Sequence, residues 1–244
     1  MAQLLSALPM PVLLPFLLFL AAAGAGAGAE EAASASSPTL VFLLAGQSNM
    51  GGRGGATSGT WDGVVPPDCA PSPRILRLSP SLRWEEAREP LHAGIDLHNV
   101  LGGATPIANW SRGTPLYDRM LARARAALAN GSTSLGALLW YQGEADTIRR
   151  QDADVYTSRM EAFVRDVRQD LGMPDLLVIQ VGLATGQGKF VDIVREAQKR
   201  VSLHNVKYVD AKGLPVASDY THLTTPAQVR LGKMLAASYL AATL

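Results

Sequence analysis

A single cysteine, Cys69, stands among 244 residues, so no intrachain disulfide can staple this chain. Charge is scarce as well: 18% of residues are charged and the formal net charge is +1. A nucleic-acid partner needs a basic face, and that balance argues against one. No internal repeat is visible. Metal-ligand spacing is missing too, since His92, His98 and His204 form no H-E-x-x-H pattern and read as surface or structural residues. A phosphate loop is lacking: Gly46 and Gly51 have its glycine spacing, but Gly52 and Arg53 stand where Lys and Ser/Thr should follow. The charge clamp and the magnesium hydroxyl are therefore both gone.

What is present is apolar material, 48% of residues, enough for one sizeable core. The one biased segment is N-terminal, "MPVLLPFLLFLAAAGAGAGAEEA". Its apolar stretch from 11 to about 23 suits a signal-peptide core, and Ala27-Gly28-Ala29 offers an A-x-A cleavage site, although no Lys or Arg precedes the run. A membrane anchor is the rival, because 9–29 approaches the ~20 residues of a spanning helix. Three prolines and a Gly/Ala tail make that helix a poor one. The expected division is a signal peptide at 1–29, a flexible leader at 30–38 and one folded domain at 39–244. Secretion, with no stable membrane association, follows. Two sequons, at Asn109 and Asn130, are compatible with that route.

Apolar runs at 39–45, 135–141 and 176–181 read as strands, as does 206–210, with a short one at 74–79. Between them lie amphipathic helical patterns. One starts at a Thr114 cap with Pro115 in its first turn, and Leu116, Met120, Leu121, Ala124 and Leu128 form its apolar face. Others cover 153–171, about 189–202, and the chain from Thr225 onward. Buried strands alternating with helices predict a parallel sheet covered on both faces, a three-layer α/β/α sandwich of flavodoxin-like winding. Reactive groups then gather at the carboxyl ends of the strands.

Four short motifs fall at such ends. Gly46-Gln47-Ser48-Asn49-Met50 follows the first strand, and Ser48 there is either a helix cap or a nucleophile. Gly102-Gly103 permits a tight turn, or lets backbone N–H groups approach a substrate oxygen. Gln142-Gly143-Glu144 is either a plain strand exit or a polar lip on a cleft. Asp219 precedes His222 by three residues in "ASDYTHLTTPAQ", close enough to hold an imidazole that acts as base.

The conjunction is more specific than any member. With "LAGQSNMGGRGG", "WDGVVPPDCAP", "RWEEAREPLHAGID", "WSRGTPLYDRM", "WYQGEADT" and "DAKGLPVASDYTHLTTPAQVRLG", the chain resembles the SGNH (GDSL-like) hydrolases. Within them it is similar to plant carbohydrate esterases with a sialate O-acetylesterase-type domain. The resemblance implies Ser48 as nucleophile, His222 as base and Asp219 as its orienter. It also implies an oxyanion hole from the Ser48 and Gly103 backbone N–H groups and the Gln142 side chain. Gly46, Gln47, Asn49, Gly143 and Glu144 would support these, Glu144 by orienting the Gln142 loop. An acetylated carbohydrate is the implied substrate, and no metal or organic cofactor is needed.

One departure stands out. Relatives carry a glycine-rich segment, a helix and a hydrophobic strand between "LHAGID" and the two glycines, whereas here "LHNV" runs straight from Asp96 to Leu101. Only Val100 and Leu101 remain for a strand that usually needs ~5–6 residues, so the sheet is expected to lack one strand and one helix. Two alternatives to an active carbohydrate acetylesterase stay open. They are a catalytically impaired relative that binds carbohydrate, and an esterase for other short acyl esters.

Overall fold

A computed structural model of the chain describes residues 39–51, 55–57, 60–91, 105–129 and 131–244. The leader at 1–38, His92, His98, Gly102, Gly103 and Asn130 lie outside the described residues, and with them the expectations placed on them.

The apolar run "TLVFLLAG" forms β1 (Thr39–Gly46). Two small antiparallel pairs follow, β2 (Ala56–Thr57) with β3 (Thr60–Trp61) and β4 (Leu76–Leu78) with β5 (Trp84–Glu86). The regular part comprises α1 (Pro115–Leu128), β6 (Thr133–Tyr141), α2 (Arg150–Asp154) and α3 (Tyr156–Leu171). It continues with β7 (Val178–Gly182), α4 (Val191–Lys199), β8 (Val206–Asp210) and α5 (Thr225–Thr243).

The main sheet is parallel, in the order β1-β6-β7-β8. Its register sets Gly46 beside Tyr141, Trp140 beside Gln180, and Gly182 beside Asp210, so all four strands end along one rim. On one face Trp140 packs edge-on against Trp110 and, tilted, against Phe163 of α3. Tyr117 of α1 meets the same Phe163, and α4 joins this layer where Gln180 Nε2 donates to Gln198 O at 3.0 Å. The opposite face carries α5, whose Tyr239 meets Phe42 edge-on. Phe42 pairs with Ala137, three residues from Trp140, and side chains alternate along a strand, so the two ring clusters lie on opposite faces. The architecture is the expected α/β/α sandwich, with α5 the one described helix on its side.

Among the described residues β1 pairs with β6 alone and is an edge strand. Its composition is that of an interior strand. Leu138 and Leu139 of β6 are fully buried, whereas Leu40 is 43% exposed and Phe42, Leu43 and Leu44 are only partly covered.

Three details differ from expectation. The helix expected at 153–171 is two helices, broken at Val155 (φ −101°, ψ 4°), with the Tyr156 ring fully buried just after the break. Thr114 precedes α1 but does not cap it. Its hydroxyl donates to Asn109 O and Ser111 O, both at 2.7 Å, closing the turn before the helix. The buried stripe of α1 also includes Tyr117, whose hydroxyl donates to Asp170 at 2.6 Å, a partner that lets a tyrosine sit inside.

Candidate active site

β1 delivers the first loop. Gly46 has φ +144°, and a Cβ there would stand 2.0 Å from Tyr141 O, so no residue with a side chain fits. The neighbouring strand comes that close because Gln47 N donates to the same Tyr141 O at 3.0 Å. The chain then turns sharply, with Gly51 N donating to Gln47 O at 2.8 Å. Gln47, Asn49 and Met50 are buried, and Ser48 alone of the four reaches solvent.

The turn before α5 comes to meet it. His222 Nε2 lies 2.8 Å from Ser48 Oγ, and His222 Nδ1 lies 2.5 Å from Asp219 Oδ2. A carboxylate can only accept, so Nδ1 carries a proton, and in the neutral tautomer Nε2 can accept from the Ser48 hydroxyl. Asp219 Oδ1 takes the backbone N–H groups of Thr221 and His222, each at 2.9 Å. Burial pushes the Asp219 carboxyl up, but those N–H groups and the imidazole outweigh it and hold the group below its ordinary value. It is therefore ionised at neutral pH.

Asn49 joins the loops. Its Nδ2 donates to Glu144 Oε1 at 2.9 Å and to Thr221 O at 3.1 Å, and its Oδ1 accepts from Leu223 N at 2.9 Å. Glu144 is fully buried, with Oε2 unpartnered among the described residues, and burial pushes its carboxyl up to about 7 despite the Asn49 bond. Glu144 thereby ties the Gln142 loop to the Ser48 loop.

Gln142, also fully buried, is held by residues that sequence reasoning passed over. Its Nε2 donates to Asp146 Oδ2 at 2.6 Å and to Thr105 O at 2.9 Å, with Gln47 Oε1 at 3.4 Å. Its Oε1 faces the Tyr156 hydroxyl at 3.1 Å. Asp146 was within sight in "QGEADT": a second acidic residue just past a buried strand needs a donor, and Gln142 is four residues back. Gly143, at φ +139°, has Gln198, Val194 and Leu183 packed where a side chain would go. His204, by contrast, is exposed near Asp175, just before the amino end of β8, as a surface reading of it requires.

A half-buried hydroxyl, an imidazole within hydrogen-bond reach of it and a carboxylate on the other ring nitrogen can together activate a nucleophile. Comparison with known proteins gives the chain's family. The family described as carbohydrate esterase, sialic acid-specific acetylesterase matches residues 38–102 and again 100–241. A protein of Arabidopsis thaliana named "Probable carbohydrate esterase" is 43% identical over 86% of this chain and 94% of its own. That match runs over 245 residues, longer than the whole chain, so the relative holds residues inside it that have no counterpart here. The X-ray structure of the same Arabidopsis protein superposes with a TM-score of 0.78, covering 84% of this chain and 98% of that one. NanS, 17% identical, shares the fold at a TM-score of 0.58 over 84% of this chain and 98% of its own. With the family pattern spanning 38–241 and a relative at 43% identity over most of its length, the chain belongs to the sialic acid-specific acetylesterase family of carbohydrate esterases and is a carboxylic ester hydrolase.

Proposed function

We propose that this protein removes O-acetyl groups from carbohydrate with Ser48 as nucleophile, His222 as general base and acid, and Asp219 as its orienter. The observation that carries the reading is the unbroken Ser48–His222–Asp219 hydrogen-bond chain at 2.8 and 2.5 Å. Ser48 Oγ attacks the acetyl carbonyl as its proton passes to His222 Nε2. Asp219 stabilises the imidazolium, which then protonates the departing sugar hydroxyl. Water, activated by the same nitrogen, releases acetate from Ser48. The Ser48 N–H, the Gln142 amide and the Gly103 N–H receive the oxyanion, each such donor carrying ~10²–10³ in rate. The carbohydrate assignment draws on the family and on the name of the Arabidopsis relative.

The test is hydrolysis of p-nitrophenyl acetate and of an acetylated oligosaccharide, with a fluorophosphonate probe marking the nucleophile. Ser48→Ala should abolish turnover and labelling while the melting temperature holds. His222→Ala should approach the same loss, and the double variant should be little worse, because members of such a unit are not additive. Turnover by Ser48→Ala within a few-fold of wild type would sink the reading. A second reading, an impaired relative that only binds carbohydrate, draws on the edge position of β1. Wild-type chain that neither turns over ester nor takes the probe would favour it. The leader carries this activity out of the cell, and N-terminal sequencing of secreted protein should begin at Glu30. Recovery of an intact Met1 in a membrane fraction would overturn that.

A further inference from the structure

Asp146 has no part in the chemistry above, yet its carboxylate is fully buried. Burial pushes the group up to about 6, while hydrogen bonds from Gln142 and Ile107 N pull it back. A buried charge is costly when a neutral acceptor would serve the same two donors. The two ends of the Gln142 amide have the same shape, and only their partners decide which is nitrogen. At one end stands the Tyr156 hydroxyl, 2.8 Å from Gln142 O, 3.1 Å from Oε1 and 3.3 Å from Trp140 Nε1. A hydroxyl gives or takes, so it does not tell oxygen from nitrogen. At the other end stand Thr105 O at 2.9 Å and Asp146 Oδ2 at 2.6 Å, both of which only accept. The carboxylate makes the shorter, charge-assisted bond, about twice as strong as a neutral one.

We propose that Asp146 is a positioning residue for ester hydrolysis: it holds one N–H of Gln142 and thereby fixes the amide so that the other N–H can pass to the oxyanion. The second N–H is now on the neutral Thr105 carbonyl. Exchanging that partner for a negatively charged oxygen is favourable, whereas the bond to Asp146 need not break. Asp146→Asn keeps the shape but can offer N–H to either end, so the amide loses its fixed direction. This rests on the reading of Gln142 as an oxyanion donor.

The experiment is a double-mutant cycle in the full chain with p-nitrophenyl acetate, reading kcat and KM separately. Gln142→Ala should lower kcat about 10²-fold with KM little changed. Asp146→Asn should lower kcat about tenfold or more, again with KM unchanged, and should add nothing in the Gln142→Ala background. The side-chain amide protons of Gln142 give a second readout: one should resonate far downfield in the wild type and lose that shift in Asp146→Asn. If the Asn variant does not fold, Asp146→Ser serves, with the same pattern expected. A kcat for the Asp146 variant within twofold of wild type, or an equal loss with and without Gln142, overturns the proposal. Unchanged kcat in Gln142→Ala overturns the oxyanion reading of Gln142 first, and the role of Asp146 falls with it.

Discussion

Asn49 bonds at once to the Glu144 carboxylate, the Thr221 carbonyl and the Leu223 N–H, so one amide sets the spacing of three loops. The carboxyl it holds leaves a measurable trace in stability. Glu144 titrates near 4.5 in an unfolded chain and at about 7 in the folded one, raised by burial. Between those values the folded state keeps a proton that the unfolded state has lost, so this group's contribution to stability falls as pH rises through that window. Asp146, raised to about 6, works in the same direction at slightly lower pH. Asp219 has the opposite sign, but its effect lies below the ordinary carboxylate range. Glu144→Gln removes the ionisation and keeps an acceptor for Asn49. Its melting temperature should therefore decline less than that of the wild type between pH 4.5 and 7. Parallel melting curves for the two proteins would show that Glu144 carries no such proton.

At the scale of elements, β1 is the misfit. It has the sequence of a strand covered on both sides, yet it stands at an edge of the described sheet with Leu40 exposed. Such an edge presents unpaired N–H and C=O groups beside apolar side chains, a template for unwanted pairing. The family pattern, too, matches in two pieces that meet at 100–102, where the sequence is expected to lack a strand and a helix. Inserting the corresponding segment of the Arabidopsis relative after Asp96 should raise the melting temperature and the rate on p-nitrophenyl acetate. Because an error of ~1 Å at a catalytic donor can cost ~10²-fold, the rate should respond more than the stability. Equal melting temperature and equal rate in the two forms would show the segment to be dispensable.

For the whole molecule, the sequence was legible where one physical demand decided the residue. Strands inside a parallel sheet are largely apolar runs, which marks β1, β6 and β7, and Gly46 must be glycine because Tyr141 O leaves no room. It was opaque where tertiary contacts chose among local options. The helix breaks at Val155, the Thr114 hydroxyl turns back to Asn109, and Asp146 takes, besides the Gln142 amide, the N–H of Ile107 from 39 positions away. The positions of Ser48, Asp219 and His222 could be named in advance, but not the Asn49 bridge that spaces their loops. That bridge joins residues far apart in the order of synthesis, as does the pair of Ser48 and His222, separated by 174 positions. The ribosome makes the serine with the first strand and the histidine only after the last one. Until then the emerging chain holds a hydroxyl with nothing to take its proton. On the proposed triad, a message broken before the final loop yields a fragment that lacks its base, and esterase activity is expected only in chains translated to α5.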